Sequence, residues 1–315
     1  MTERKKGWLA LTVMLAVWCT PTLFVKYFLP YYDPFAQNFL RYLSSTAMML
    51  PLMVWQLRKD GRRGGLSKRQ WLLLILPALP NVLYQTAWVT SQLWLEPAYT
   101  AFLNKASILF AAVMAYALFP EERPLFRSNR FLAGMLLCVI GTLGLSLVRS
   151  NIGVMKINLA VLLVLFSASM WAAYSVVVKK IAPGIGSTVS FAAVSIYTTV
   201  AMAVPALVWG NAANFTRTSW QVNLIMILSG MMCIGLGHTL YYYALKIIGV
   251  SVCATLLLLT PLGTLLLSRW LFGEHMTIGQ IIWGIVLLVG GALTVWARER
   301  PGTLAVAEAA EAADS

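Results

Sequence analysis

Apolar residues in this chain fall in ten long runs, near 8–28, 35–57, 71–93, 97–119, 130–148, 157–178, 187–209, 222–245, 249–272 and 278–297. Each approaches the roughly 20 mostly apolar residues that a helix needs to cross a bilayer. The breaks between them carry Pro and Gly, as at Pro30 and Pro34, Gly61 and Gly65, Pro120 and Pro124, Pro183 and Gly186, and Gly210. These residues punctuate helices, and nothing between the runs is long enough to fold separately. The pattern predicts an all-α integral membrane protein with ten transmembrane helices. The first run is long enough to span and lacks a small-residue cleavage site, so it reads as a helix rather than a removable signal. Residues 301–315 read as a disordered, acidic cytoplasmic tail.

Composition agrees. Of the 315 residues 59% are apolar and 11% charged, against about 25% charged in an ordinary soluble domain. A net charge of +13 would suggest a nucleic-acid partner in a soluble protein. Its distribution gives it another meaning. With the N-terminus inside, the cytoplasmic segments hold 17 of the 24 basic residues, in groups such as Arg4 to Lys6, Arg58 to Arg69, Arg123 to Arg130 and Lys179 with Lys180. The outer side holds five: Lys26, Arg149, Lys156, Arg217 and Arg269. Such a split over short loops is the positive-inside pattern. It places both termini in the cytoplasm, predicts a multi-pass protein of the cell membrane, and removes the case for nucleic acid. The four cysteines, Cys19, Cys138, Cys233 and Cys253, all fall within spans and read as buried free thiols.

The chain also repeats itself. Trp18, Val25, Lys26 and Pro30 align on Trp171, Val178, Lys179 and Pro183 at an offset of 153 residues, and Leu118, Phe119 and Glu121 align on Leu271, Phe272 and Glu274. In the last span of each half Gly134 and Gly141 match Gly284 and Gly291. The halves, 1–150 and 151–300, contain five spans each. An odd number makes the second half cross in the opposite sense from the first, and inverted repeats of this kind belong to transporters, with substrate bound near the midplane.

At these residues the sequence resembles the drug/metabolite transporter superfamily, in its ten-span members with two EamA domains. The Trp18 to Lys26 stretch, Arg41 early in the second span, AYTAFLNKASILFAAVMAYALFPEE and its counterpart GVSVCATLLLLTPLGTLLLSRWLFGE carry the resemblance, over about residues 8–297. It implies a secondary carrier, often an exporter of amino acids, other metabolites or drugs. Asn104-Lys105 departs from it, since many relatives are uncharged there.

Charges inside a bilayer cost roughly 2.5–3.5 kcal/mol each on insertion scales and mark functional positions. Lys105 lies about 12 Å into the fourth span at 1.5 Å per residue, with no Asp or Glu at that depth. It faces a hydrated cavity or an anionic group on the solute, or else it bonds backbone carbonyls or Asn104. Arg41, about 9 Å into the second span, either pairs with Asp33 or lines a vestibule. Gln85 and Trp88 in the third span match His238 and Tyr241 in the eighth. Each pair has the i, i+3 spacing that shares a helix face. Trp18, Trp171 and Tyr174 add rings, and an aromatic pocket with few polar groups suits a small amphipathic solute. The other reading of these rings is ordinary core packing. His238 could exchange a proton near neutral pH or could serve only as a hydrogen-bonded link between helices. Glu121 and Glu274, near span ends, read as helix caps or partners of interfacial cations.

No HExxH, GxSxG or P-loop occurs, which argues against an intramembrane enzyme or an ATPase. Neither a cofactor nor a metal site is expected. The residues predicted to contact substrate are therefore Trp18, Gln85, Trp88, Asn104, Lys105, Trp171, Tyr174, His238 and Tyr241. The expected function is outward transport of a small organic metabolite, amino-acid-like or otherwise amphipathic, with an anion among the candidates. Its partners are that solute and the lipid bilayer, and both proton coupling and exchange against a counter-substrate fit. A multidrug efflux carrier of the same fold is the alternative, and a scaffold subunit the more distant one.

Overall fold

The computed structural model describes residues 2–61, 65–148, 154–181, 185–211, 213–248, 253 and 256–297. The expected tail at 301–315 lies outside them. Among the described residues the regular structure is entirely helical.

The first expected span is two helices, α1 (Glu3–Trp18) and α2 (Pro21–Phe28), broken at Cys19 and Thr20. α3 (Pro34–Lys59) starts sharply because the Asp33 side chain accepts hydrogen bonds from the Phe35 and Ala36 amides, both at 2.9 Å. Pro34 sits in its first turn, where no amide hydrogen is needed. A Ser67–Gln70 capping box opens α4 (Lys68–Leu73), which leads into α5 (Ile75–Ser91). α6 (Pro97–Leu103) and α7 (Ser107–Leu118) are joined by a 3₁₀ turn at Asn104–Ala106. α8 (Asn129–Leu147), α9 (Val154–Ile181) and α10 (Ser187–Val208) follow. After the short α11 (Asn214–Arg217), α12 (Trp220–Ser229) passes through a π turn at Gly230–Leu236 into α13 (Gly237–Ile248). α14 (Thr260–Phe272) ends at Gly273, whose φ of 66° is the left-handed stop that glycine adopts readily. α15 (Ile278–Ala297) is last.

Eight helices among the described residues are long and apolar enough to cross a membrane. The two other expected spans correspond to α3 and α14. α3 has the length, at 26 residues, but it buries Gln37, Asn38, Arg41, Ser44, Ser45 and Thr46. α14 is only 13 residues long, following a turn at Leu258 and Leu259.

Helices from the two halves pack on one another. α8 and α15 meet at close range. A methyl group on Gly290 would sit 2.5 Å from the Cys138 amide nitrogen and 2.7 Å from the Gly134 carbonyl oxygen. Glycine lets two membrane helices meet backbone to backbone. α3 meets α10 through hydroxyls, with Thr46 Oγ1 at 2.6 Å from Ser195 Oγ and 2.8 Å from Thr199 Oγ1. α1 packs on α13 and α5 on α9. One end of the bundle carries the Lys26–Glu96 ion pair at 3.3 Å, the other the Lys179–Glu122 pair at 3.0 Å. Both lysines, which match at the repeat offset, thus hold carboxylates. Glu274 caps α6, accepting from the Ala98 and Tyr99 amides at 3.1 and 3.4 Å.

Candidate functional site

Where helices from both halves meet, they enclose a cavity of about 160 Å³. Several of the helices reaching it are interrupted there. The first span breaks between Trp18 and Pro21, and both residues line the cavity. The fourth changes to a 3₁₀ turn at Asn104 and Lys105, which line it too, and the eighth runs as a π turn through Cys233 and Ile234. The turn at Leu258 and Leu259 lies between the lining residues Leu257 and Thr260. Inside lipid such breaks persist only where protein or trapped water satisfies the backbone. Here side chains do so. The Trp18 indole nitrogen donates to the Cys233 carbonyl at 3.0 Å, the Thr264 hydroxyl to the Cys19 carbonyl at 2.9 Å, and the Thr20 hydroxyl to the Val17 carbonyl at 2.6 Å.

An aromatic wall runs round the space. Tyr84 stands 5.0 Å from Trp171 and 6.1 Å from Trp88, while Trp18 meets the His238 ring edge-on at 5.2 Å. His238 is stacked on Phe191 at 4.4 Å, and its Nδ1 lies 2.8 Å from the Ile234 carbonyl. A carbonyl only accepts, so in the neutral ring Nδ1 carries the hydrogen and Nε2 is left as an acceptor. Gln85 is buried and donates to the Tyr42 hydroxyl at 3.1 Å.

Of the residues singled out from the sequence, Trp18, Gln85, Trp88, Asn104, Lys105, Trp171 and His238 line this cavity. Tyr174 and Tyr241 do not. Tyr174, one turn beyond Trp171, is buried in the packing of α5, α9 and α10 beside Leu74 and Val194. Tyr241 packs on Trp18, 5.1 Å between ring centres, and that indole occupies the cavity wall. Arg41 takes the opposite course. It is 2% exposed and lines the cavity, and it does not pair with Asp33, which instead bonds the amides that start α3 and the Asn211 amide at 2.9 Å. Its depth within an apolar run was the signal, but the run alone does not tell which way a side chain points. Tyr84, Thr22, Thr260 and Thr264 are further lining residues that the sequence did not single out. None of the lining residues is Asp or Glu, so the polar groups available are cationic, hydroxyl, amide, imidazole, indole and thiol.

A bundle of long apolar helices, interrupted around a cavity that leaves Lys105 with accessible surface, has the architecture of a membrane transport protein. The sequence profile of the EamA-like transporter family matches residues 5–147 and again 158–297, and the chain belongs to that family. The chain is similar to an uncharacterized transporter of Archaeoglobus fulgidus, 25% identical over 299 residues that cover 92% of this chain and 97% of the relative. A solved crystal structure of a protein with 17% identity superposes with a TM-score of 0.61, over 94% of this chain and 100% of the other; that likeness is one of fold.

Proposed function

We propose that the chain is a ten-span secondary carrier of the cell membrane that exports a small organic metabolite by alternating access. Its two five-helix repeats, 1–150 and 151–300, cross in opposite senses and both termini are cytoplasmic. The observation that carries this reading is the pairing of helix interruptions. The Asn104–Ala106 turn and the turn at Leu258 and Leu259 stand at the repeat offset, Lys105 against Leu258, and both border the cavity. Two matched breaks around one central site provide the hinges by which related halves exchange an inward opening for an outward one. The distribution of Lys and Arg supports the orientation. The aromatic wall supports a solute with an apolar body, and the alternative of a multidrug efflux carrier shares that feature. Trp18, Gln85, Trp88, Asn104, Lys105, Trp171 and His238 form the substrate site. Tyr174 and Tyr241 back it from behind. Coupling would use a proton, with His238 as its carrier, or exchange against a second solute.

The test is flux into liposomes holding the purified protein, with a panel of amino acids, nucleosides and organic acids. Saturable uptake or counterflow of at least one is expected, and a second solute or a pH gradient should drive it. Folded protein with no saturable flux of any of them would overturn the carrier mechanism.

A further inference from the structure

The cavity holds two cations and no carboxylate. Arg41 and Lys105 both line it, and neither forms an ion pair among the described residues. Arg41 is buried, and its Nε has no hydrogen-bond partner. The groups beside the guanidinium are the Cys233 thiol and the hydroxyl-bearing rings of Tyr42 and Tyr84. A guanidinium buried with an unmet donor is costly to leave that way, and it presents a planar fork suited to a carboxylate or phosphate. The Thr22 hydroxyl, also on the cavity wall, is buried and likewise unpartnered. The rings of Trp18, Tyr84, Trp88 and Trp171 line the same cavity.

We infer that the transported solute is an organic anion, its acid group held by Arg41 and Lys105 and its apolar body laid against the aromatic wall. The inference rests on the carrier reading above and narrows its substrate class. A bound acid supplies the negative charge that the lining lacks, and charge-assisted hydrogen bonds in a desolvated site are the strong ones. A neutral or cationic solute of the same shape leaves the buried Arg41 and the partly buried Lys105 uncompensated. Arg41 becomes the residue that selects for acids, and Lys105 shares its load.

The experiment compares matched acids and amides on the full-length protein in neutral phosphatidylcholine nanodiscs, so that no anionic lipid competes. Phenylacetate against phenylacetamide and hexanoate against hexanamide are titrated by calorimetry, and the same pairs are followed in liposome flux. At least one acid should bind about tenfold or more tightly than its amide, a difference of one charge-assisted contact. Arg41→Gln and Lys105→Met should each remove that preference, bringing the affinity for the acid down to that for its amide. Arg41→Lys, which keeps the charge, should retain part of it and guards against a variant that does not fold. Acids binding no better than amides, including no binding of either, would overturn the inference, as would folded variants that keep the preference. Saturable flux of neutral or amino solutes without preference for acids overturns it and leaves the carrier reading standing. Preferential binding of acids without flux of any solute does the reverse.

Discussion

Thr46 and Thr199 hydrogen-bond to each other at 2.8 Å, and they are separated by 153 residues, the offset at which the chain repeats. A residue that touches its own repeat mate lies where a two-fold relation between the halves would have its axis. Other contacts follow the same rule. Trp18 packs on Tyr241 of α13, and Trp171 packs on Tyr84 of α5, so that each half lends its indole to the other half's helix pair. The cavity lies among these exchanged contacts, which explains why it is built from both halves.

The Thr46–Thr199 bond should be measurable as a coupling. Thr46 also bonds Ser195, and Thr199 donates to the Ser195 carbonyl at 2.8 Å. Thr46→Val and Thr199→Val should each destabilise the protein. The double variant should lose about 0.6 kcal/mol less than the sum, the average strength of a hydrogen bond between membrane helices. Thermal unfolding in detergent of the four proteins gives the cycle. Strict additivity would mean that the two hydroxyls do not support each other.

Helix existence and the repeat were legible in the sequence because both depend on long apolar runs and on rare residues, Trp, Lys, Pro and Glu, recurring at one offset. Which side chains face the cavity was legible only in part. Lys105 and Trp18 stood out by depth and by repetition. Arg41 was visible as a deep charge, with pairing to Asp33 and lining a vestibule both open; Asp33 is committed to starting α3 and Arg41 lines the cavity. In helices that are apolar nearly all round, periodicity does not distinguish the cavity face from the lipid face. Tyr174 and Tyr241 illustrate this. Each lies three residues from a lining residue on the same helix, and a turn of helix was enough to put it behind the wall.

The contact between α8 and α15 makes an asymmetric prediction for two glycines of one helix. Gly290→Ala should destabilise the protein by about 1–3 kcal/mol, as overpacking does, because its methyl meets the backbone of Cys138 and Gly134 at 2.5–2.7 Å. Gly279→Ala should be neutral or slightly stabilising, since its nearest neighbour, Val148, stands 3.6 Å away and alanine favours helix. The melting temperatures of the two variants in detergent decide it. Equal effects would mean that the helices do not meet backbone to backbone at Gly290.

Trp18→Phe keeps an aromatic ring in the wall but removes the donor to the Cys233 carbonyl, which lies in the π turn. It should cost about 1 kcal/mol, the usual net worth of a hydrogen bond. Trp209→Phe, at an indole 70% exposed, should stay within about 0.5 kcal/mol of the parent, like most surface changes. Unfolding in detergent separates the two. A Trp18→Phe protein as stable as the Trp209→Phe one would show that the π turn does not need the indole.

Glu274 joins the halves at one end of the bundle, reaching from the end of α14 to the first amides of α6 and taking a further hydrogen bond from Ser268. Burial is the largest influence on its carboxyl and holds its pKa above the ordinary 4.5, against the lowering effect of those bonds. A carboxyl raised in the folded state binds its proton more tightly there than in the unfolded chain. Its contribution to stability is therefore fully present below 4.5 and is lost as pH rises through the higher folded value. As pH rises above 4.5 the parent's melting temperature should fall more steeply than that of Glu274→Gln, which has no charge to bury. Glu274→Gln also keeps an oxygen to accept from the α6 amides, so it should remain folded, whereas Glu274→Ala leaves them unmet and should be the less stable of the two at every pH. Parallel pH profiles for the parent and Glu274→Gln would show that the carboxylate charge costs the folded protein nothing.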